Sequence, residues 1–593
     1  MFIPADRRGR MKVTMEKQVL KRIIDVAAGK VLADLVIKNV NIVDVYGSTI
    51  IEGKDIAICE GKIAGVGDYE GIKTIDAQGQ YAAPGFIDGH IHIESSYVTP
   101  EEIGRLLVPH GGTTIIADPH EIVNVCGMTG MKYMLEAAQG TKLDIKYMLP
   151  SCVPATPFEH AGANIDAEAM KEPIKEEQIL GLGEFMNYVG VVGADDEVLN
   201  KLLVAINENK LIDGHSPNVF DKELNAYAVP RIRTDHECAT GEEVLDRISR
   251  GIYVLLREGS ACHNLRENLK VVNAVNSRRC LLCSDDRQPK TILKEGHLDN
   301  HLRICVEEGV DPILAIQMAS LNAAECYRLE DRGAIAPGLR ADIVLLDNLR
   351  DFNVKRVLIK GEEVARDGVY LPEVRRYDCS SVSGQFHVKD FSKEKLKLAL
   401  KSNHVNVIDI LPGGVVTAKG TAMVKIDDQG DFIFLSEQDI VKVAVVERHQ
   451  NTGNVAVALL RGYGIKAGAV ALSIAHDSHN IIVVGTNDAD MAYAVEQLIA
   501  QGGGITLVKE KEVINHMPMV VGGIMSDQSG EWVKDKLTEI HTQAHDILQV
   551  NADVEPVMTL CFMSLPVIPE LKITDMGLFD VTQFNFIPLE VEE

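Results

Sequence analysis

The chain has 593 residues, more than one hydrophobic core usually serves, so two to four domains are expected. It is 46% apolar and 25% charged with a net charge of −26, an acidic globular composition whose surface repels nucleic-acid phosphates and anionic lipid. It has no apolar run of about eighteen residues to span a bilayer, and its 11 thinly spread cysteines suit reduced thiols in a cytoplasm better than a disulfide framework.

The start, MFIPADRRGRMKV, is basic but lacks the apolar stretch of a signal peptide. Over residues 14–28, Val19, Leu20, Ile23, Ile24 and Ala27 recur at helical spacing, and Gly29 suits the stop. Residues 1–33 therefore read as an N-terminal helical segment. Residues 34–83 break into short β runs at glycines and polar turns, and the same texture returns at 331–380. One small composite β-sandwich domain, built from both stretches, explains this economically.

Between them, residues 84–330 alternate apolar runs with helical sequence. The candidate strands are FIDGHIH, TTIIADPHE, IKYMLPS, ILGLGEFMN, KLIDGHSP, IRTDHE, YVLLREGS and CLLCSDD. Eight such repeats predict an α/β fold centred on a (β/α)₈ TIM-like barrel. An open doubly wound sheet is the weaker alternative, since no GxGxxG follows a first strand. Cys280 and Cys283 form a lone CxxC whose apolar neighbours favour a buried strand over a redox pair. Residues 385–593 read as a further C-terminal α+β domain. Within it AGAVALSIAHDSHNIIVVGTNDADMAYAVEQLIAQGGG gives strand, loop, strand and helix, with Asn487 or Asp488 to cap the helix and Gly502 to end it. The alternating Lys509, Glu510, Lys511 and Glu512 read as a solvated face.

Metal-capable side chains stand at the C-terminal ends of the barrel runs, where this fold builds its sites. His90 and His92 are two apart on a strand and so share a face. The fourth run ends in Glu184, the fifth in His215, the sixth in His236 and the eighth in Asp285. Each alone suits a hydrogen-bonded strand-end residue. Together, four neutral imidazoles and two carboxylates can hold two divalent cations, with one carboxylate bridging them.

PGFIDGHIHIESS resembles the first-strand signature of the amidohydrolase superfamily, as does MASLNAAECYRLEDRGAIAPGLRADIVLLD, residues 318–347. The finer motifs HIESS, ADPHEIVNVCG, GLGEFMNYVGV, DGHSP, TDHE, CSDDRQP and HDSHN resemble those of the adenine deaminase family, from about residue 34 to the end. The resemblance implies metal-dependent hydrolytic deamination of adenine to hypoxanthine and ammonia. It puts His90 and His92 on one ion, Glu184 as the bridge, His215 and His236 on the second ion, and Asp285 at the eighth strand. It implies manganese or iron(II) rather than zinc, although the ligand types permit all three. A cytoplasmic homo-oligomer, a dimer, is expected, acting on a small molecule rather than on nucleic acid or a membrane.

Water attacks adenine C6 poorly. A bound divalent ion lowers the pKa of water toward neutrality, and Asp285 beside it can take the proton and deliver it to the departing nitrogen. His236 is placed with it in the catalytic set. Ring N1 needs an acid, and Glu121, Glu94, His120 and Glu237 are the candidates. Glu94 and Ser95 can meet the purine edge and Asp118 a ring N–H, with support of the metal histidines as the alternative role. His120, Glu237 and His479 are further expected substrate contacts. Arg287 is expected to pair with a carboxylate. HDSHN reads either as a loop closing the site or as a polar turn. The competing functions are a cyclic-amide hydrolase of the dihydroorotase or hydantoinase kind, and a scaffold that has lost its metals.

Overall fold

The computed structural model of the chain describes residues 15–413 and 415–591; the basic start lies outside them. The N-terminal helix runs Lys17–Ala27 and turns Ile23 and Val26 into the core. Gly29, at φ 69°, then takes the left-handed conformation that ends it.

The two distant β regions join in one nine-stranded sheet. Ala33–Asp44 is its hub, paired antiparallel with Thr49–Cys59 and parallel with Gly71–Asp76 and Tyr81–Pro84. The two halves meet where Tyr81–Pro84 pairs antiparallel with Ile343–Leu346.

The central stretch forms a ring of eight strands, each parallel to its neighbours. They are Phe86–Ile91, Gly112–Ala117, Asp144–Leu149, Ile179–Phe185, Leu211–Gly214, Thr234–Asp235, Tyr253–Arg257 and Cys280–Cys283. The fifth and sixth are linked by the Arg233 N–H to the Ile212 carbonyl, 2.8 Å. The ring closes where the Asp285 N–H reaches the His90 carbonyl at 2.9 Å and the His92 N–H reaches that of Asp285 at 3.2 Å. The sixth strand is only two residues long, so His236 stands just beyond its end. His120 and Glu121 open the helix His120–Ala137 that follows the second strand. Cys280 and Cys283 are buried and unpaired in the eighth strand, the buried-strand outcome of the CxxC.

The C-terminal region carries an eight-stranded, mostly antiparallel sheet. Helix Asp488–Ala500 is capped by Asn487, whose side chain accepts the Asp490 N–H at 2.9 Å. HDSHN connects the antiparallel strands Ala469–Leu472 and Ile481–Gly485. This region packs on the barrel mouth. The Ser526 N–H donates to the Tyr97 carbonyl at 2.8 Å, and the Gln450 side chain to that of Ala161 at 2.9 Å. Among the described residues, no helix is long and apolar enough to cross a membrane.

Candidate metal centre

The strand ends bring His90, His92, Glu184, His236 and Asp285, all buried, and the half-buried His215 to one spot at the barrel mouth. The Nε2 atoms of His90 and His92 lie 3.0 Å apart. His92 Nδ1 is 2.9 Å from the Asp118 carbonyl, which accepts its proton and leaves Nε2 with a lone pair. That lone pair faces Asp285 Oδ1 at 3.2 Å and Glu184 Oε1 at 3.4 Å. Acceptors aimed at acceptors repel unless a cation sits among them, so the donor set fits a divalent ion.

Glu184 stands between two pairs of imidazoles. Its Oε1 faces His92, while its Oε2 lies 2.7 Å from His215 Nδ1 and 3.2 Å from His236 Nε2. One carboxylate with an oxygen toward each pair has the shape of a bridge between two ions. Burial pushes the Glu184 carboxyl up, but the hydrogen bonds to His215 and His236 outweigh it and hold it well below its ordinary value. The backbone is built for this position. Glu184 N–H donates to Asp118 Oδ2 at 2.8 Å. A Cβ on Gly183 would stand 2.2 Å from that same oxygen, so only glycine lets Asp118 come so close.

Asp285 takes a left-handed backbone conformation, φ 58°, which aspartate tolerates better than most residues. Its Oδ1 lies near both strand-one histidines, 3.6 Å from His90 and 3.2 Å from His92, while Oδ2 accepts from Arg257 at 2.9 Å. Burial raises its carboxyl, and His90, His92 and Arg257 together pull it well below the usual range. The preceding Ser284 donates through its hydroxyl to Asp88 at 2.6 Å, which ties the eighth strand end to the first.

The expected substrate contacts divide. Asp118 supports Glu184 and His92 rather than standing free at the purine edge. Glu94 Oε1 accepts the Ile122 N–H at 3.1 Å, at the head of the helix after strand two. Its Oε2 is buried without a hydrogen-bond partner among the described residues, as is Glu121 Oε2. Burial, with Glu94 alongside, pushes the Glu121 carboxyl well above its ordinary value. Ser95 donates toward Glu121 and Asp286. His120 lies 3.3 Å from Glu184 and 3.8 Å from Asp477. Glu237 is ion-paired with Arg257; burial raises its carboxyl, but the guanidinium and neighbouring imidazoles win and keep it ionised. That makes it a poor proton donor. Arg287 is fully buried and pairs with the Glu295 carboxylate at 3.8 Å, as expected, while also donating to the carbonyls of Gly296, Glu258 and Gly259. A fork of five N–H groups satisfies three loop carbonyls there better than one partly exposed carboxylate would.

HDSHN reaches the barrel through His476, 3.6 Å from Glu121, and Asp477, beside His120. His479 is buried next to His476, ring centroids 5.5 Å apart, and neither of its ring nitrogens has a hydrogen-bond partner among the described residues. Phe562 stacks on His476 at 4.8 Å. A narrow pocket opens here, lined by Ser95, Asp286, Gln288, His476, Met558 and Phe562 among others. Arg257, Asp286 and Phe562 were not singled out from the sequence. Arg257 ends the seventh strand and Asp286 completes the CSDD doublet, so strand-end position was the available signal for those two.

Residues 414–585 match the adenine deaminase C-terminal domain family, and residues 81–364 match the amidohydrolase family. A protein named adenine deaminase 2 from Desulfotalea psychrophila is 66% identical over 97% of this chain and 100% of its own length. The chain belongs to the adenine deaminase family. An adenine deaminase from Ligilactobacillus salivarius is 52% identical over 98% of this chain and 100% of its own length, and one from Nitratidesulfovibrio vulgaris is 46% identical over 97% and 100%. The likeness therefore embraces the barrel, the composite sheet and the C-terminal region of this adenine deaminase family member together.

Proposed function

We propose that the chain hydrolyses adenine to hypoxanthine and ammonia at the barrel mouth. The observation that carries this is Glu184, held between two histidine pairs in a chain of adenine deaminase family sequence throughout its length. His90, His92 and Asp285 would hold one divalent ion, His215 and His236 the other, with Glu184 between. Imidazole and carboxylate donors without thiolate suit manganese or iron(II), with zinc also accommodated. Such ions, when bound, supply Lewis acidity and lower the pKa of water.

The residues of the chain do the rest. Asp285 accepts the proton of the attacking water and passes it to the amino nitrogen leaving C6. Arg257 pins one oxygen of Asp285, so the other stays directed at the reacting atoms. Glu121, held toward its protonated form by its buried setting, donates to N1 as C6 becomes tetrahedral and is reprotonated by the C6 hydroxyl as the carbonyl of hypoxanthine forms and ammonia leaves. His236, between Glu184 and Glu237, favours the charge that builds beside the centre. The C-terminal region over the mouth excludes bulk water.

Manganese-loaded protein incubated with adenine should remove its absorbance and release one ammonia per adenine. Adenosine, cytosine, guanine and dihydroorotate should be left largely intact. Survival of adenine alongside opening of dihydroorotate would replace this reading with that of a cyclic-amide hydrolase.

A further inference from the structure

Resting on the adenine reading, the geometry points to Asp286 as the residue that selects a free base, by accepting the imidazole N–H of the purine. Three observations meet on it. Asp286 lines the narrow pocket over the centre, together with His476 and Phe562 from the C-terminal region. A carboxylate oxygen of Asp286 lies within 4.8 Å of ligand atoms of both His92 and Asp285, so a molecule whose reacting carbon meets Asp285 has its neighbouring ring beside Asp286. Ser95 donates to Oδ1 and fixes the carboxylate, while Oδ2 takes no hydrogen bond from any described residue.

Adenine has one N–H in its five-membered ring, no proton on its other ring nitrogens, and an amino group on C6 that stays at the reacting centre. With C6 at Asp285 the six-membered ring occupies the metal centre and the five-membered ring enters the pocket. A fixed carboxylate there is matched by an N–H and by nothing else the ring offers. The apolar faces of Phe562 and Met558 flank that position. A substituent on N9 removes the donor and leaves the half-buried Asp286 carboxylate without that partner, which is how a site built around a substrate N–H rejects an analogue lacking it. This bond is made to the ground state as well as to the transition state, so it acts on KM more than on kcat.

The test compares adenine with 9-methyladenine on the metal-loaded parent and on Asp286→Asn, which keeps the shape and the Ser95 contact but removes the charge. Metal content and the melting temperature of both are measured first. Loss of a charge-assisted hydrogen bond is expected to cost roughly 10- to 100-fold in kcat/KM for adenine, mostly as a rise in KM. Turnover of 9-methyladenine should change less than about threefold, so the ratio between the two substrates shrinks by the same factor as the adenine loss. An equal loss on both substrates, or an unchanged ratio, overturns the role of Asp286. Should Asp286→Asn lose metal or fold, the parent alone decides: 9-methyladenine turned over as fast as adenine sinks the inference, and strong rejection supports it. A parent that leaves adenine untouched fails the proposed function itself, a result separate from either of these.

Discussion

At the bottom of the barrel, Asp144 begins the third strand between Arg332 at 2.6 Å and Arg340 at 2.5 Å, with Lys146 at 3.1 Å. Asp331 and Asp342 complete the group, 2.8 Å from Arg332 and 2.9 Å from Arg340. Three cations meet three carboxylates. At the mouth, Glu94, Glu121, Glu184, Glu237, Asp285 and Asp286 gather around Arg257, which touches two of them. Both clusters are mostly buried. The lower one is neutral as it stands, and it sits where the barrel meets the composite sheet. The upper one carries an excess of negative charge and of orphaned acceptors, which two divalent cations would balance. In this fold the N-terminal face serves stability and the C-terminal face serves chemistry; here the bookkeeping of charge separates the two without reference to any motif.

The comparison can be broken by exchanging the roles. Glu184→Gln keeps the shape but removes the charge between the proposed ions. Loss of most bound metal and a fall in activity on the order of 10⁴-fold are expected, with the far-UV circular dichroism of the parent retained. A variant that keeps two metals per chain at full activity would show that Glu184 does not bridge. Asp144→Ala should do the reverse. It leaves three cations to share two carboxylates, Asp331 and Asp342, and should cost about 3–5 kcal/mol of stability, read as a lower melting temperature. Protein that remains folded should keep its kcat within about twofold.

Acid sharpens the same contrast. Burial raises the Asp144 carboxyl, but Arg332, Lys146 and Arg340 outweigh it and hold it far below its ordinary value. A carboxylate depressed in the folded state stabilises above its unfolded pKa, and that stability is lost as pH falls toward the folded value. Stability of the parent should therefore decline from about pH 5 downward, at up to about 1.4 kcal/mol per pH unit for this one proton. Asp144→Asn should flatten that slope in denaturation curves taken at pH 5, 4 and 3. An unchanged slope would remove Asp144 from the acid response.

The smallest effect belongs to the loop over the mouth. His479→Ala should lower adenine turnover by about three- to tenfold and leave metal content intact, because this residue lies outside the proposed ligand set. An unchanged enzyme would leave HDSHN as a polar turn in its action, whatever His476 and Asp477 touch.

The convergence of the proposed ligands was legible in the sequence because two local rules produce it. Alternation along a strand puts His90 and His92 together, and strand ends of this fold converge. The eight runs and the cap at Asn487 were readable for the same reason: each depends on residues within a few positions. What was not legible depends on contacts across long separations. Nothing near position 257 says that Arg257 holds both Glu237 and Asp285, and Phe562 reaches His476 only through the folding of the C-terminal region. Asp118 reads from the sequence either as a contact to a ring N–H or as support of the metal histidines, and which of the two contacts it makes depends on the fold: it accepts the Glu184 N–H where Gly183 leaves room for it, and its carbonyl meets His92 Nδ1. The pairing of Arg287 with a carboxylate followed from charge and is met by Glu295, but the three loop carbonyls that also hold the guanidinium depend on the folded loops.

The centre itself is tested most directly by titrating metal-depleted protein with manganese while adenine conversion and bound metal are followed together. Activity should climb with added metal and level off at two ions per chain, with hypoxanthine and ammonia formed in equal amounts. A plateau at one ion, or two ions bound without adenine deamination, would contradict a bridged pair at the barrel mouth.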